Sequence, residues 1–276
     1  MSAAVAADYG LLRKIVFSHS RNVLDPSSDY LFDARLARLL RNRGLSSVDE
    51  LIHSLRHAPN PALERAIAEA MTINETSFFR DGRPFELLRS VLLPKIIDAR
   101  RNTRTLRFWS AACSTGQEAY SIAMLLREHF PMVAGWTLRI EGTDISSEVV
   151  QKAGSGRYQR LEINRGLPAR HIIRFFDHLG EEWAVKPEIR RLCNFRQANL
   201  CAPRLPFAEP FDVIFLRNVM IYFSRETRLA LLAGIHRLLT PDGILFLGSA
   251  EQPPDLSLWT SALEGGTCYF RPQPVA

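Results

Sequence analysis

The chain has 276 residues, is 46% hydrophobic and 23% charged, and carries a formal net charge of +6. These values are ordinary for a soluble globular protein with a sizeable core, built as one large domain or a large domain with a small companion. Its four cysteines form no CxxC pair and have no histidine at metal-ligand spacing, so the sequence argues against a disulfide framework and a zinc site. Reduced thiols in a cytoplasm fit best, and we expect no metal.

The sequence gives no support for export or for a membrane span. Asp8 stands where a signal peptide would need an apolar core. The longest apolar run, VIFLRNVMIYF, is divided by Arg217 and Asn218. We therefore expect a cytoplasmic protein without membrane insertion.

The first 72 residues are predicted to form an all-α N-terminal domain. Apolar side chains recur at helical spacing at Leu31, Phe32, Leu36, Leu39 and Leu40. Asp29 is a candidate N-cap of this helix, Ser47 and Glu50 form a capping-box pattern before the next one, and Pro61 suits the first turn of another. The pattern predicts a bundle of short helices.

The first of these predicted helices carries four arginines in a stretch of nine residues: Arg35, Arg38, Arg41 and Arg43. Such a cluster would attract an acidic partner. It would equally suit a solvated helix face, and the sequence alone leaves both interpretations open.

From residue 73 onward the pattern changes to a second domain that runs to residue 276. The turn-rich segment NETSFFRDG is followed by the helical segment PFELLRSVLLPKIIDARR, and after it apolar strands alternate with helices. Repeated βα units predict a mostly parallel sheet with helices on both faces. Between about residues 176 and 198 the strand candidates WAVK and LCNFRQ leave no room for a helix, which predicts a small antiparallel β-subdomain.

The stretch SAACSTGQEAY joins the first strand of the sheet to a helix. In open α/β sheets ligands bind beyond the carboxyl ends of the strands, near helix N-termini. A dinucleotide fingerprint would need several glycines, whereas this turn has only Gly116, and Glu118 would repel a pyrophosphate. A ligand with an ammonium group and no phosphate, such as S-adenosylmethionine, fits better. Asp144 ends the second strand, where an acid commonly accepts hydrogen bonds from ribose hydroxyls.

Several motifs occur together in an order that resembles one known family. They are INETSFFRD, WSAACSTGQEAYSIA, GTDIS, the pair Asn199-Leu200, RNVMIYF and LTPDGILFLGSAE. The sequence is similar over essentially its whole length to the chemotaxis receptor glutamate methyltransferases, the CheR family. The resemblance implies a Rossmann-like class I S-adenosylmethionine-dependent methyltransferase domain behind the all-α domain. It also implies methyl transfer to glutamate side chains of chemoreceptors, which yields methyl esters and S-adenosylhomocysteine.

The resemblance also assigns roles to individual positions. The implied cofactor contacts are Asn74, Thr76, Arg80, Glu118, Asp144, Asn199, Leu200, Arg217 and Asn218. Arg80 and Tyr222 are similar to the residues that hold the accepting glutamate. Because a carboxylate attacks the electrophilic methyl group directly, neither side chain has to act as a general base, and catalysis consists mainly of positioning.

Two positions depart from the family pattern. Gln117 stands where many members have a second acid, which leaves Glu118 to carry that role. The connection HLGEEW lacks the glycine-flanked insertion of relatives that bind a receptor's C-terminal pentapeptide. The sequence therefore favours a pentapeptide-independent enzyme, in which the four arginines would face the acidic methylation helices of the receptor. We expect it to act as a monomer.

Two other functions are compatible with the fold alone. A methyltransferase acting on nucleic acid would usually carry an Asn or Asp followed by two prolines and an aromatic residue, and RNVMIYF stands at that strand end instead. We therefore expect no nucleic-acid partner. A catalytically silent binding module would be expected to lose Arg80, Tyr222 or one of the acids, and all are retained.

Overall fold

The computed structural model describes residues 9–274, so Asp8 lies outside the described part of the chain. The chain forms two compact units. The first consists of the described residues up to Ile73 together with Tyr222–Thr227. The second consists of Asn74–Ile221 and the described residues from Arg228 onward.

The first unit is helical, as predicted. Its helices are α1 (Tyr9–Ser20), α2 (Tyr30–Arg43), α3 (Val48–His57) and α4 (Pro61–Ala70), with a 3-10 turn at Pro26–Ser28. Their apolar faces enclose a core whose fully buried members include Leu12, Phe32, Leu36, Leu51 and Ile67. This burial, more than the intrinsic preference of such short helices, holds them together.

The ends of these helices differ in part from the predicted caps. Asp29 precedes α2 but makes no side-chain cap bond, because its carboxylate pairs with the guanidinium of Arg13 at 2.5 Å. Asp29 thus occupies the predicted N-cap position, but its side chain does not cap the helix. Ser47 does cap α3 by accepting the N–H of Glu50, whereas the Glu50 carboxylate accepts from Ser46 instead of closing the predicted box.

The second unit contains ten strands in two sheets. They are β1 (Thr105–Ala111), β2 (Thr137–Asp144), β3 (Arg157–Gln159), β4 (Phe176–Leu179), β5 (Glu182–Val185), β6 (Cys193–Gln197), β7 (Phe211–Leu216), β8 (Leu239–Leu247), β9 (Trp259–Glu264) and β10 (Thr267–Pro272). The large sheet has the order β6-β2-β1-β7-β8-β10-β9, and its first five strands are parallel. β10 runs antiparallel to both of its neighbours. The mostly parallel sheet is thus confirmed.

Eight further helices accompany the strands. They are α5 (Arg83–Leu87), α6 (Leu93–Ala99), α7 (Gln117–His129), α8 (Ser147–Ser155), α9 (Arg160–Asn164), α10 (Ala169–Phe175), α11 (Pro187–Arg190) and α12 (Arg225–His236). The single helix predicted before β1 is divided, because a π-helical segment, Leu88–Leu92, lies between α5 and α6. Pro94 lacks the N–H that would bond the carbonyl four residues earlier, which explains the wider turn at this point.

The antiparallel sheet has the order β3-β5-β4 and differs from the predicted segment 176–198 in two ways. Its third strand, β3, comes from before that segment. β6 does not belong to it: Cys193 pairs with Ile140, and β6 runs parallel to β2 as an edge strand of the large sheet. The antiparallel assignment of LCNFRQ was therefore wrong, because the four-residue α11 suffices to turn the chain back into the parallel direction.

An ion-pair clamp holds the amino ends of the central strands. The Arg100 guanidinium, just after α6, donates to Asp212 at 2.7 Å and to Asp242 at 2.5 Å. Burial raises the pKa of the Asp212 carboxyl, against the opposing effects of the Arg107 N–H and of Arg100. Residues 240–243 interrupt the register between β7 and β8, so that Asp242 comes within reach of Arg100.

Candidate active site

The turn after β1 has an unusual backbone. Ala112, Ser114 and Gly116 all have positive φ, at 60°, 50° and 92°. A Cβ added at Gly116 would come within 2.9 Å of the Ala153 Cβ, so both conformation and space require glycine there. The Cys113 N–H donates to the Thr143 carbonyl at 2.8 Å. The turn is thereby fixed against the carboxyl end of β2.

Asp144, the predicted ribose ligand, ends β2 and is only 5% exposed. Its Oδ2 accepts the Ser114 N–H at 2.9 Å, and its Oδ1 accepts the Ser146 N–H at 3.1 Å. These two bonds orient the Asp144 carboxylate at the end of β2.

Glu118, in the first turn of α7, accepts two hydrogen bonds. Ser110 Oγ donates to its Oε1 at 2.7 Å, and Arg217 Nη1 donates to its Oε2 at 3.0 Å. β1 and β7 are neighbours, and Ala111 lies in register with Leu216, so Glu118 and Arg217 meet at the same edge of the sheet. Sequence reasoning assigned no role to Ser110.

Arg217 connects two of the predicted motifs. Its side chain is 2% exposed, and its Nη2 donates to Asp81 Oδ2 at 2.5 Å and to the Arg80 carbonyl at 3.1 Å. Asp81, Arg217 and Glu118 therefore form one chain of charges that joins NETSFFRD to STGQE. The Nε of Arg217 is buried without a partner. Asp81 was missed, although its place directly after Arg80 inside a quoted motif was the available signal.

The NETSFFRD segment forms an irregular loop with positive φ at Phe79 and Asp81. Ser114 Oγ donates to the Asn74 carbonyl at 2.8 Å, and the Phe79 N–H donates to Ser121 Oγ at 2.9 Å. Arg80 is half-buried, and its Nη1 donates to the Glu75 carbonyl at 2.9 Å. Asn74 thus contacts the turn after β1 through its backbone carbonyl.

The remaining predicted cofactor residues of the second unit lie in loops. Thr76 is half-buried in the same irregular loop. Asn199 Oδ1 accepts the Cys201 N–H at 2.9 Å, an Asx turn that follows β6 and leaves Leu200 8% exposed. Asn218 follows β7 with φ at 57°.

Cys113 is a buried part of this turn. Burial, together with the charges of Asp144 and Glu118, raises the pKa of its thiol well above the ordinary value. A thiol in this state is neither a nucleophile nor a redox sensor at neutral pH.

Tyr222 and the four predicted receptor-facing arginines belong to the first unit. The Tyr222 carbonyl accepts the Val23 N–H at 2.9 Å. Arg35 is half-buried and donates to the Met71 carbonyl at 2.8 Å, whereas Arg38, Arg41 and Arg43 are exposed. Arg35, Arg38 and Arg41 follow at intervals of three along α2, so they form one row, and Arg43 falls outside it.

The side chains of this site match the polar groups of S-adenosylmethionine. Glu118 offers a carboxylate to an ammonium group, and the unpartnered Arg217 Nε offers a donor to a carboxylate. Asp144 offers carboxylate oxygens, which are the acceptors that ribose hydroxyls need. Among residues 9–274, no helix could cross a membrane, and no three His, Cys, Asp or Glu side chains are grouped to hold a metal.

Two family descriptions match the chain. Residues 7–72 match the CheR methyltransferase all-alpha domain, and residues 74–267 match the CheR methyltransferase SAM binding domain. Together they span most of the sequence.

Relatives named as chemotaxis methyltransferases agree with this match. The chain is 40% identical over 255 residues to chemotaxis protein methyltransferase 1 of Pseudomonas aeruginosa, which covers 91% of this chain and 92% of that one. It is 40% identical to chemotaxis protein methyltransferase Cher2 of Pseudomonas putida, covering 83% and 84% of the two chains. It is 34% identical to the chemotaxis protein methyltransferase of Escherichia coli, covering 95% and 90%.

These matches confirm the predicted fold, cofactor and reaction class. The all-α segment, the parallel sheet and the acids at the ends of β1 and β2 occupy the matched regions in the expected order. The chain belongs to the CheR family of S-adenosylmethionine-dependent chemotaxis methyltransferases.

Proposed function

We propose that this enzyme methylates glutamate side chains of chemoreceptors and forms glutamate methyl esters. The observation that carries the proposal is the charge chain Asp81–Arg217–Glu118. It ties the loop that bears Arg80 to the turn predicted to hold the methionine end of the cofactor. Relatives over most of the chain carry names of chemotaxis methyltransferases, which supports the same class of acceptor.

The bound cofactor supplies an electrophilic methyl group on a sulfonium. Glu118 would hold its ammonium group, Asp144 its ribose hydroxyls, and Asn199 with Leu200 the adenine side. Arg217 and Asn218 would line the pocket at the end of β7. Asn74 and Thr76 would contribute from the NETSFFRD loop.

The accepting glutamate would be placed by Arg80 and Tyr222. An ionised carboxylate is itself the nucleophile, so no side chain has to remove a proton. Arg80 can orient that carboxylate through paired N–H donors once its guanidinium leaves the Glu75 carbonyl. Tyr222 would add a weaker O–H donor. The gain comes from positioning, for which effective molarities of about 10⁵ M or more are known.

Receptor recognition would fall on the row Arg35, Arg38 and Arg41 and on the neighbouring Arg43, facing acidic methylation helices. Three of these four guanidinium groups lie on exposed side chains. The loop between β4 and β5 contains only Gly180 and Glu181, since Leu179 pairs with Glu182. So short a loop supports recognition without a receptor pentapeptide. We further propose that the enzyme acts in the cytoplasm, where the acceptor helices lie, and acts as a monomer.

Methyl transfer can be tested with methyl-labelled S-adenosylmethionine and a receptor cytoplasmic fragment from the same source. Mild alkali should release labelled methanol from the receptor band, because methyl esters hydrolyse readily. Arg80→Ala should abolish the label, while Arg191→Ala, at an exposed arginine of the same unit, should retain it. Label that is stable to alkali, or that is found on nucleic acid, would overturn the glutamate assignment.

Pentapeptide independence has its own test. Calorimetric titration of the enzyme with the isolated receptor C-terminal pentapeptide should show no binding, whereas the four arginine-to-alanine variants should weaken binding of the receptor fragment. Tight binding of the pentapeptide would refute this part of the proposal.

A further inference from the structure

Glu251 accepts four backbone hydrogen bonds. It lies beyond the end of β8 and is 7% exposed. Its Oε2 accepts the N–H groups of Asn218 and Gly248, both at 2.7 Å. Its Oε1 accepts the N–H groups of Val219 at 3.0 Å and Ile221 at 3.2 Å. An ionised carboxylate has about four acceptor positions, so this side chain is fully used by the backbone.

The arrangement requires a carboxylate and close approach. All four partners are donors, and hydrogen bonds to an ionised acceptor are shorter and stronger than neutral ones. A Cβ at position 248 would lie 2.6 Å from Glu251 Oε2 and 2.9 Å from the Asn218 nitrogen, so only glycine leaves space there. The hydrogen bonds of Glu251 therefore join Gly248 to the turn after β7.

The turn that Glu251 holds contains a residue with a left-handed backbone conformation. Asn218 has φ at 57°, in the left-handed region that residues other than glycine and asparagine rarely adopt. Three of the four bonded N–H groups belong to residues 218–221, directly after Arg217. The direction in which Arg217 and Asn218 leave the end of β7 therefore depends on this carboxylate.

We propose that Glu251 is a positioning residue of the methyltransferase: it fixes the backbone of residues 218–221 and thereby places Arg217 and Asn218 for cofactor binding. The inference rests on the proposed placement of Arg217 and Asn218 in the cofactor site. Glu251 does not touch the cofactor in this role, since both of its oxygens face backbone donors.

Glu251→Gln tests the proposal because it keeps the size of the side chain but turns an NH₂ group toward backbone donors. We expect amide hydrogen exchange at residues 218, 219, 221 and 248 to accelerate at least tenfold, while the amides of β1 and β2 keep their protection. The Kd for S-adenosylhomocysteine, measured by calorimetry, should rise at least tenfold. Glu188→Gln, at an exposed glutamate, should change neither quantity.

Glu251→Asp provides a second variant should the glutamine variant fail to fold. It keeps the charge but is one methylene too short to reach all four donors, so its Kd should lie between those of the parent and Glu251→Gln. Faster exchange at the four amides with an unchanged Kd, in either variant, would overturn the positioning role. Unchanged exchange would overturn the hydrogen-bonding role itself.

The variant Arg217→Gln distinguishes a failure of the proposed role of Glu251 from a failure of the proposed cofactor site. Loss of product binding in Arg217→Gln but not in the Glu251 variants would refute only the role of Glu251. Parent-like binding by Arg217→Gln would refute the placement of Arg217 in the cofactor site and, with it, the positioning role.

Discussion

The buried ion pair between Arg217 and Glu118 makes a quantitative prediction about stability. Their side chains are 2% and 12% exposed, so Arg217→Met leaves a carboxylate that is almost shielded from water. Removing one partner of such a pair costs about 3–5 kcal/mol of unfolding free energy. The Asp81 pair adds less than about 1 kcal/mol, because Asp81 is 44% exposed.

A double-mutant cycle isolates this coupling. In Arg217→Met/Glu118→Leu both charges are gone, and replacing a buried pair by apolar side chains is often neutral or stabilising. We therefore expect the double variant to be more stable than Arg217→Met alone. At about 2–4 °C per kcal/mol for a domain of this size, Arg217→Met should lower Tm by roughly 6–20 °C.

Urea denaturation and calorimetry of the four proteins measure the cycle, with Arg101→Met/Asp98→Leu as the matched cycle. Arg101 and Asp98 form a pair at 2.9 Å, but both side chains are more than two-thirds exposed, so their coupling should stay below about 1 kcal/mol. Effects of Arg217→Met and Glu118→Leu that simply add, within about 0.5 kcal/mol, would refute a coupled buried pair.

Three further results are expected. Arg100→Met leaves buried Asp212 without its cation and should cost about 3–5 kcal/mol in urea denaturation, against less than about 1 kcal/mol for exposed Arg101→Met; equal losses would contradict the clamp. Burial lowers the pKa of His171 despite the opposing Glu128 carboxylate, so as the pH falls the unfolded chain binds this proton before the folded one, and stability decreases below about pH 6.5. In His171→Gln the Tm should therefore decrease less steeply with falling pH, and a dependence of Tm on pH equal to that of the parent would argue against this role of His171. Gly116→Ala combines φ of 92° with a steric clash and should cost more than about 1 kcal/mol and weaken S-adenosylhomocysteine binding in calorimetry; parent-like values would disprove the requirement for glycine.

Local sequence patterns were sufficient for the elements that bear most of the site. β1 ends within SAACSTGQEAY, the stretch predicted to join the first strand to a helix. Glu118 in the first turn of α7 and Asp144 at the end of β2 come to one edge of the sheet, because βα units bring the carboxyl ends of parallel strands together. The pairing of strand β6 could not be predicted in this way, because its partner strand β2 lies about fifty residues earlier in the chain. No local pattern says whether such a short strand pairs in parallel or antiparallel fashion.

The acids that the sequence did not single out share a physical cause. Asp81, Glu251 and Asp212 look like ordinary surface carboxylates in a sequence, because their partners are distant in the chain or are backbone N–H groups. Asp29 shows the converse: a residue of the right type at a helix start was used by Arg13 instead. Which of several available donors a carboxylate takes is decided by the folded chain, and composition at the position does not reveal it.

The clamp formed by Arg100 with Asp212 and Asp242 has a practical meaning for engineering. It lies at the amino ends of the strands, whereas the turn after β1 and the turn after β7 lie at their carboxyl ends. Mutations that raise thermal tolerance can therefore be sought around the clamp by selection for folding alone. A library of variants that changes which substrate accepts the methyl group can be built at the other edge of the sheet. It can afterwards be introduced into the thermally stabilised protein.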